Sequence, residues 1–213
     1  MITRLISALL LVSSLATFAQ AQEVTPATVI PAPATSNAMD ELDPFDPNIE
    51  QKLDQMDLQY EQETGKPAFI EDIVTTWGAP CRQMTCPIYI RVNKAVQKAY
   101  LYQNGRQIDT WLVSTGIAGR GTPNFEGRPN GRIYDRYTST KYPEGDYKGL
   151  GNMPYAVFYN GGFAIHGTTT GNIKRLGTRA SHGCVRVHPD NGYTFNRLVR
   201  QYGISNVWIS IYE

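Results

Sequence analysis

Residues 88–114 read IYIRVNKAVQKAYLYQNGRQIDTWLVS, and this stretch decides the fold class. Ile88, Ile90 and Val92 alternate with Tyr89 and Arg91, the period of a half-buried strand, and a turn follows at Asn93-Lys94. Residues 96–102 form a second candidate strand. It ends at Asn104-Gly105, a pair that accepts the positive φ angles of a two-residue hairpin turn. Residues 108–114 continue as a third strand. Further along, residues 156–159 and 163–166 resume strand character around Asn160-Gly161-Gly162. One helix follows, with Pro189 suited to its first turn, Asp190 to its positive end, and Phe195, Leu198, Val199 and Tyr202 on one face. Gly203 stops it, and residues 207–212 alternate as a last strand. The pattern predicts a mainly β chain (β-rich α+β) with one flanking helix.

Working outward, 213 residues and 23.8 kDa favour one main domain with appendages. A composition 41% hydrophobic and 18% charged excludes wholesale disorder. A formal charge of +1 argues against a nucleic-acid partner. Residues 1–21 read as a cleaved signal peptide: Arg4, an apolar stretch to Phe18, then small residues at Ala19 and Ala21. They predict export, to the periplasm or the wall, with no other membrane attachment. Residues 22–47, rich in Pro, Ala and Thr, read as a disordered tether. Residues 48–66 read as an acidic amphipathic helix striped by Ile49, Leu53, Met56 and Tyr60, and 67–213 as the main domain, its core at 87–213. Charge divides the chain at the same place: 22–66 carries ten acids against two lysines, while 67–213 carries nine acids against seventeen bases. A lone helix of this length is marginal in water, so it is expected to pack on its own basic domain and to screen the bases near Arg186. A solvated spacer is the alternative. Residues 116–151, rich in Gly, Pro, Arg and Tyr, are too long for an ordinary connection and suggest a lid or decorated hairpins.

The chemistry-bearing residues fall in one window. All three histidines, His166, His182 and His188, and the third cysteine, Cys184, lie within 23 residues. A thiol nucleophile needs a base beside it and backbone N–H groups aimed at a developing oxyanion, and a preceding glycine allows the backbone that geometry. His166 at a strand end and Cys184 in Ser181-His182-Gly183-Cys184 satisfy that pattern. Zinc binding by His166, His182 and Cys184 is the competing reading, weakened by the lack of a CxxC pair. Cys184 as a buried small hydrophobe is another. His188 reads as a helix-start residue.

At these residues the chain resembles the L,D-transpeptidases with a YkuD-type catalytic domain, whose signature is a His followed at a distance by Ser/Thr-His-Gly-Cys. Fourteen residues separate His166 from Ser181 here. The likeness extends to Gly151-Asn152-Met153-Pro154-Tyr155, to 161–167, and to the Pro129-Asn130-Gly131 turn. Arg186 stands where the pattern is often written with Asn. The resemblance implies a YkuD-like sandwich or barrel of mixed sheets and no cofactor or metal. It implies thiol acyl transfer on peptidoglycan tetrapeptide stems, with a wall-attached protein as another acceptor. It further implies Cys184 as nucleophile, His166 as base and the Gly167 carbonyl as the group orienting the imidazole. Gly183 and Cys184 N–H groups would form the oxyanion hole, in a loop shaped by His182 and Ser181. Residues 117–150 align poorly, so no lid residue carries over. An L,D-carboxypeptidase or amidase on the same fold is the second reading, and an inactive wall-binding module the third.

Six bases and one acid lie between Lys174 and Arg200, and stem peptides carry carboxylates, so Arg186 is the first candidate substrate reader. Tyr155 is a second candidate, from a tyrosine-rich run. In an exported protein that keeps Cys184 reduced, Cys81 and Cys86 are the pair left to form a disulfide, two free thiols being the alternative.

Overall fold

The computed structural model describes residues 44–68, 81–138 and 145–213. The expected signal peptide, nearly all of the expected tether and part of the 116–151 segment lie outside them. Among the described residues, eight strands build two sheets. Strands β1 (Ile88–Asn93), β2 (Lys98–Gln103), β3 (Arg106–Leu112), β4 (Phe125–Gly127) and β8 (Val207–Tyr212) form one in the order β3-β2-β1-β8-β4. Strands β5 (Val157–Asn160), β6 (Phe163–Gly167) and β7 (Val185–Val187) form the other in that order. Helix α1 spans Ile49–Thr64 and α2 spans Pro189–Tyr202. The β1–β8 and β6–β7 pairs are parallel, the rest antiparallel.

Local chemistry accounts for these bounds. The β2–β3 hairpin turns on Asn104 (φ 50°) and Gly105 (φ 75°), both left-handed as a type I′ turn requires. Strand β2 starts two residues later than the alternation suggests, because Gln97 also takes a left-handed φ of 52°. Its buried amide donates to Lys94 O and Thr115 Oγ1, which fixes the β1–β2 turn. Strand β3 stops at Leu112 because Ser114 leaves that sheet to pair with Arg186. Two short strands, β4 and β7, are too brief to show a period. Their existence rests on pairing with β8 and β6.

The main core lies between the five-stranded sheet, the inner face of β5–β7 and α2, with Ile88, Ile90, Val92, Ile209 and Ile211 meeting Val157, Ile165, Val185 and Phe195. Strands β5 and β6 are buried on both faces, which is why they read as near-continuous apolar runs. Their second face meets α1. Leu53 and Tyr60 of α1 pack against Tyr134, Tyr137, Met153, Phe158 and Ala164, with Met56 and Cys184 at the margin of the cluster. The acids of α1 reach Arg132 (from Glu50, Asp54 and Asp57) and Arg136 (from Glu63), bases that the sequence reading did not single out. A Cys81–Cys86 disulfide closes the short turn that leads into β1.

Candidate functional site

His166 lies on β6, and strand alternation places it with Ala164 on the face turned toward α1. The imidazole is 3% exposed. Its Nδ1 lies 2.7 Å from the Gly167 carbonyl oxygen. A carbonyl only accepts, so Nδ1 carries the proton and the Nε2 lone pair is left as the basic atom. Burial, reinforced by the Arg186 charge, pushes the imidazole pKa down to about 3 against the pull of that hydrogen bond. The ring is therefore neutral near pH 7.

Close packing sets the Gly167 carbonyl. Gly167 N–H donates to Pro154 O at 2.7 Å. A methyl group at Gly167 would come within 2.9 Å of Pro189 Cα, and one at Gly192 of α2 within 2.8 Å of Gly167 N. Two glycines thus let the first turn of α2 press on the residue that orients the imidazole. His188 caps that helix, its Nδ1 accepting from Asp190 N–H at 3.3 Å.

Cys184 is a half-buried thiol that leads directly into β7, where the parallel register pairs Arg186 with His166. The three-residue strand β7 stands between this cysteine and α2 and ties it to β6. Its Sγ lies 3.7 Å from Gly162 O. Gly183 has φ 127°, a conformation that side chains rarely adopt. Thr122 Oγ1 donates to Gly183 O at 2.6 Å, and Gly116 N–H donates to the same hydroxyl at 2.9 Å. With that carbonyl pinned, the planar trans peptide aims the Cys184 N–H the opposite way. Ser181 Oγ donates to Cys184 O at 2.6 Å and accepts from Gly183 N–H at 3.2 Å. Of the two expected oxyanion donors, Gly183 N–H is thus already engaged, by the longer of these two bonds. His182 is half-buried within the same loop.

Arg186 donates to Ala180 O at 3.0 Å, bracing the loop ahead of Cys184 while placing a positive charge beside His166. Tyr155 follows Pro154, the acceptor of the Gly167 N–H, and has a left-handed φ of 58° with its ring edge-on to Tyr193 of α2 at 5.2 Å. The residues that sequence reasoning missed lie on 132–137, just past the Pro129-Asn130-Gly131 turn. Arg132, Tyr134 and Tyr137 line the surface between the site and α1. Tyr134 donates its hydroxyl to Asp57, and Tyr137 donates to Met56 Sδ at 2.9 Å. Burial raises both phenol pKa values, so both hydroxyls keep their protons. Their only sequence signal is position after that turn.

Taken together, a buried neutral imidazole, a thiol and a loop turned by a left-handed glycine form an arrangement suited to acyl transfer through sulfur. Comparison with known proteins agrees on the family. The sequence profile of the L,D-transpeptidase catalytic domain (YkuD) matches residues 87–202. No curated protein matches the chain. Among solved structures, an L,D-transpeptidase from Mycobacterium smegmatis superposes with TM-score 0.50 at 16% identity, over 60% of this chain and 59% of that one. Another, from Stackebrandtia nassauensis, gives TM-score 0.49 at 20% identity, over 65% and 62%. The chain thus spans less than two thirds of these proteins, and the first of the two likenesses, at 16% identity, speaks for the fold alone.

Proposed function

Since the chain belongs to the YkuD family of L,D-transpeptidase catalytic domains, we propose that it is an exported cysteine transpeptidase acting on peptidoglycan tetrapeptide stems. The observation that carries this reading is the imidazole of His166. It is buried, neutral and held by the Gly167 carbonyl in the tautomer that offers Nε2 as a base. Cys184 Sγ attacks the carbonyl of the third stem residue while its proton passes to His166 Nε2. The carbonyl oxygen becomes an oxyanion facing the Cys184 N–H, with Gly183 N–H turning from Ser181 to join it. Collapse breaks the C–N bond, and His166 returns the proton to the departing terminal D-amino acid. An amine from a second stem, or from a wall-attached protein, then attacks the thioester, loses a proton to His166 and restores the thiol. Water in place of the amine gives the carboxypeptidase outcome.

Mass spectrometry of muropeptides from purified sacculi incubated with the protein tests this. New crosslinked or tetrapeptide-shortened products are expected with the native chain. Cys184→Ala and His166→Ala should each lose turnover by at least about a thousandfold while staying folded. Retained turnover in Cys184→Ala overturns the mechanism. A strained β-lactam of the carbapenem class should add its mass to Cys184 and leave Cys184→Ala unmodified.

A further inference from the structure

The residues that lead into α1 lie against the nucleophile's loop. A methyl group at Gly162, whose carbonyl is the Sγ neighbour, would meet Pro44 Cα and Ile49 Cγ1 at 2.8 Å each. One at Gly183 would meet Pro44 Cγ at 3.2 Å. Phe45 sets its ring edge-on against Phe163 at 5.2 Å. Both glycines that flank the Cys184 thiol are therefore roofed by residues 44–49. The rest of α1 runs over the aromatic floor of Tyr134, Tyr137 and Phe158. A cavity of about 110 Å³ opens between α1 and Tyr137 where that cover ends.

The charge pattern on this cover is unusual for a helix that is only structural. Glu50, Asp54 and Asp57 are spaced to fall along one edge of α1, and all three converge on Arg132, at 2.8, 2.6 and 2.9 Å. The Arg132 side chain is 12% exposed, yet Glu50 and Asp54 are 63% and 68% exposed. A largely buried guanidinium thus presents its donors to carboxylates arriving from outside, which is how arginine reads a carboxylate ligand. Glu50 also links the two regions, its Oε1 lying 3.6 Å from where a methyl group at Gly161 would stand, next to Gly162.

Resting on the transpeptidase reading above, we propose that the face beneath α1 is the site for the acidic stem peptide. Arg132 is its carboxylate-reading residue, and residues 44–64 occupy the site in place of substrate. Substrate and α1 then compete for the same guanidinium and the same tyrosine floor. Residues 44–64 carry six acids against one lysine, and 67–213 nine acids against seventeen bases, so charge favours that occupancy.

The rate at which iodoacetamide alkylates Cys184 in the full chain, followed by intact mass, tests the proposal without needing turnover. In Glu50→Gln/Asp54→Asn/Asp57→Asn, alkylation should rise about tenfold, and a disaccharide-tetrapeptide muropeptide should slow it again. In Arg132→Ala, alkylation should rise as well, but the muropeptide should protect at least about tenfold less well. Unchanged amide exchange across Ile88–Asn93 and Val207–Tyr212, with faster exchange across Ile49–Thr64, separates release of α1 from loss of the fold. Alkylation within twofold of the native rate in both variants overturns the cover. Equal muropeptide protection of both variants overturns the role of Arg132. A triple variant that alkylates fast, binds the muropeptide and still leaves sacculi untouched counts against the transpeptidase reading and not against the cover.

Discussion

Burial holds the His166 imidazole down to about 3 in the folded chain, while an unfolded histidine titrates near 6.5, and this difference gives the protein an acid-side weakness. Between those values the unfolded chain binds a proton that the native chain refuses. Stability from this residue is therefore complete above pH 6.5 and is lost as pH falls, by about 1.4 kcal/mol per unit at most. Urea melts at pH 7 and pH 4.5 should show a steeper acid loss in the native chain than in His166→Gln, where that component is gone. Equal slopes would mean that the imidazole is not held neutral. The same residue shows the reach of sequence reading. The resemblance carried by the spacing to Ser181-His182-Gly183-Cys184 makes His166 the expected base. Its tautomer depends on a carbonyl one residue away, whose direction is set by Pro154 and Pro189.

At the scale of elements, α2 presses closest on β6 where Gly192 meets Gly167. Alanine is the better helix former by about 1 kcal/mol, so Gly192→Ala would stabilise an isolated helix. Here its methyl group would lie 2.8 Å from Gly167 N, and backbone cannot yield as a flexible side chain does. We expect Gly192→Ala to destabilise the domain by about 1–3 kcal/mol in denaturant melts and to lower turnover, because the Gly167 carbonyl moves with the strand. A more stable variant would refute the close approach. The hairpin β2–β3 and helix α2 were legible in advance, since Asn104-Gly105 and the Pro189 to Gly203 punctuation are local signals. Strands β4 and β7 were not, because three residues show no period and they are defined by partners more than 80 residues and 20 residues away, respectively.

Across the whole molecule, the Cys81–Cys86 bridge at the entry of β1 is held to the turn before β8, Cys81 Sγ lying 3.3 Å from Ser205 O. Arg128 donates to Cys81 O at 2.8 Å and to Ser205 O at 3.2 Å, and its guanidinium lies 5.2 Å from the Trp208 ring centroid. Such a short loop restricts the unfolded chain only modestly, so Cys81→Ser/Cys86→Ser should cost about 2 kcal/mol and leave the domain folded. Thermal melts with and without reductant check this. The native chain should shift on reduction and the double variant should not. The two charge blocks act at this scale too, since α1 and its acids are brought against Arg132 by the fold of the entire chain.

By itself, the sequence determined the longer elements and singled out the candidate site residues. Period-2 alternation, a hairpin dipeptide and helix punctuation are local properties that survive in any context. The His166 and Ser181-to-Cys184 pattern is equally local, and through the resemblance it marks a candidate thiol and a candidate base. It also marked α1 as an acidic helix in need of a partner. Only the tertiary structure decided which partner. Counting bases toward the nucleophile favoured Arg186, but that guanidinium turns to Ala180 O and lends its charge to His166. Arg132 holds the α1 carboxylates instead, because the pairing of Ile133 with Val157 carries the 132–137 segment across the same face as His166 and Cys184. A carboxylate is drawn to whichever cation the fold places within hydrogen-bond reach, and distance along the chain carries no information about that.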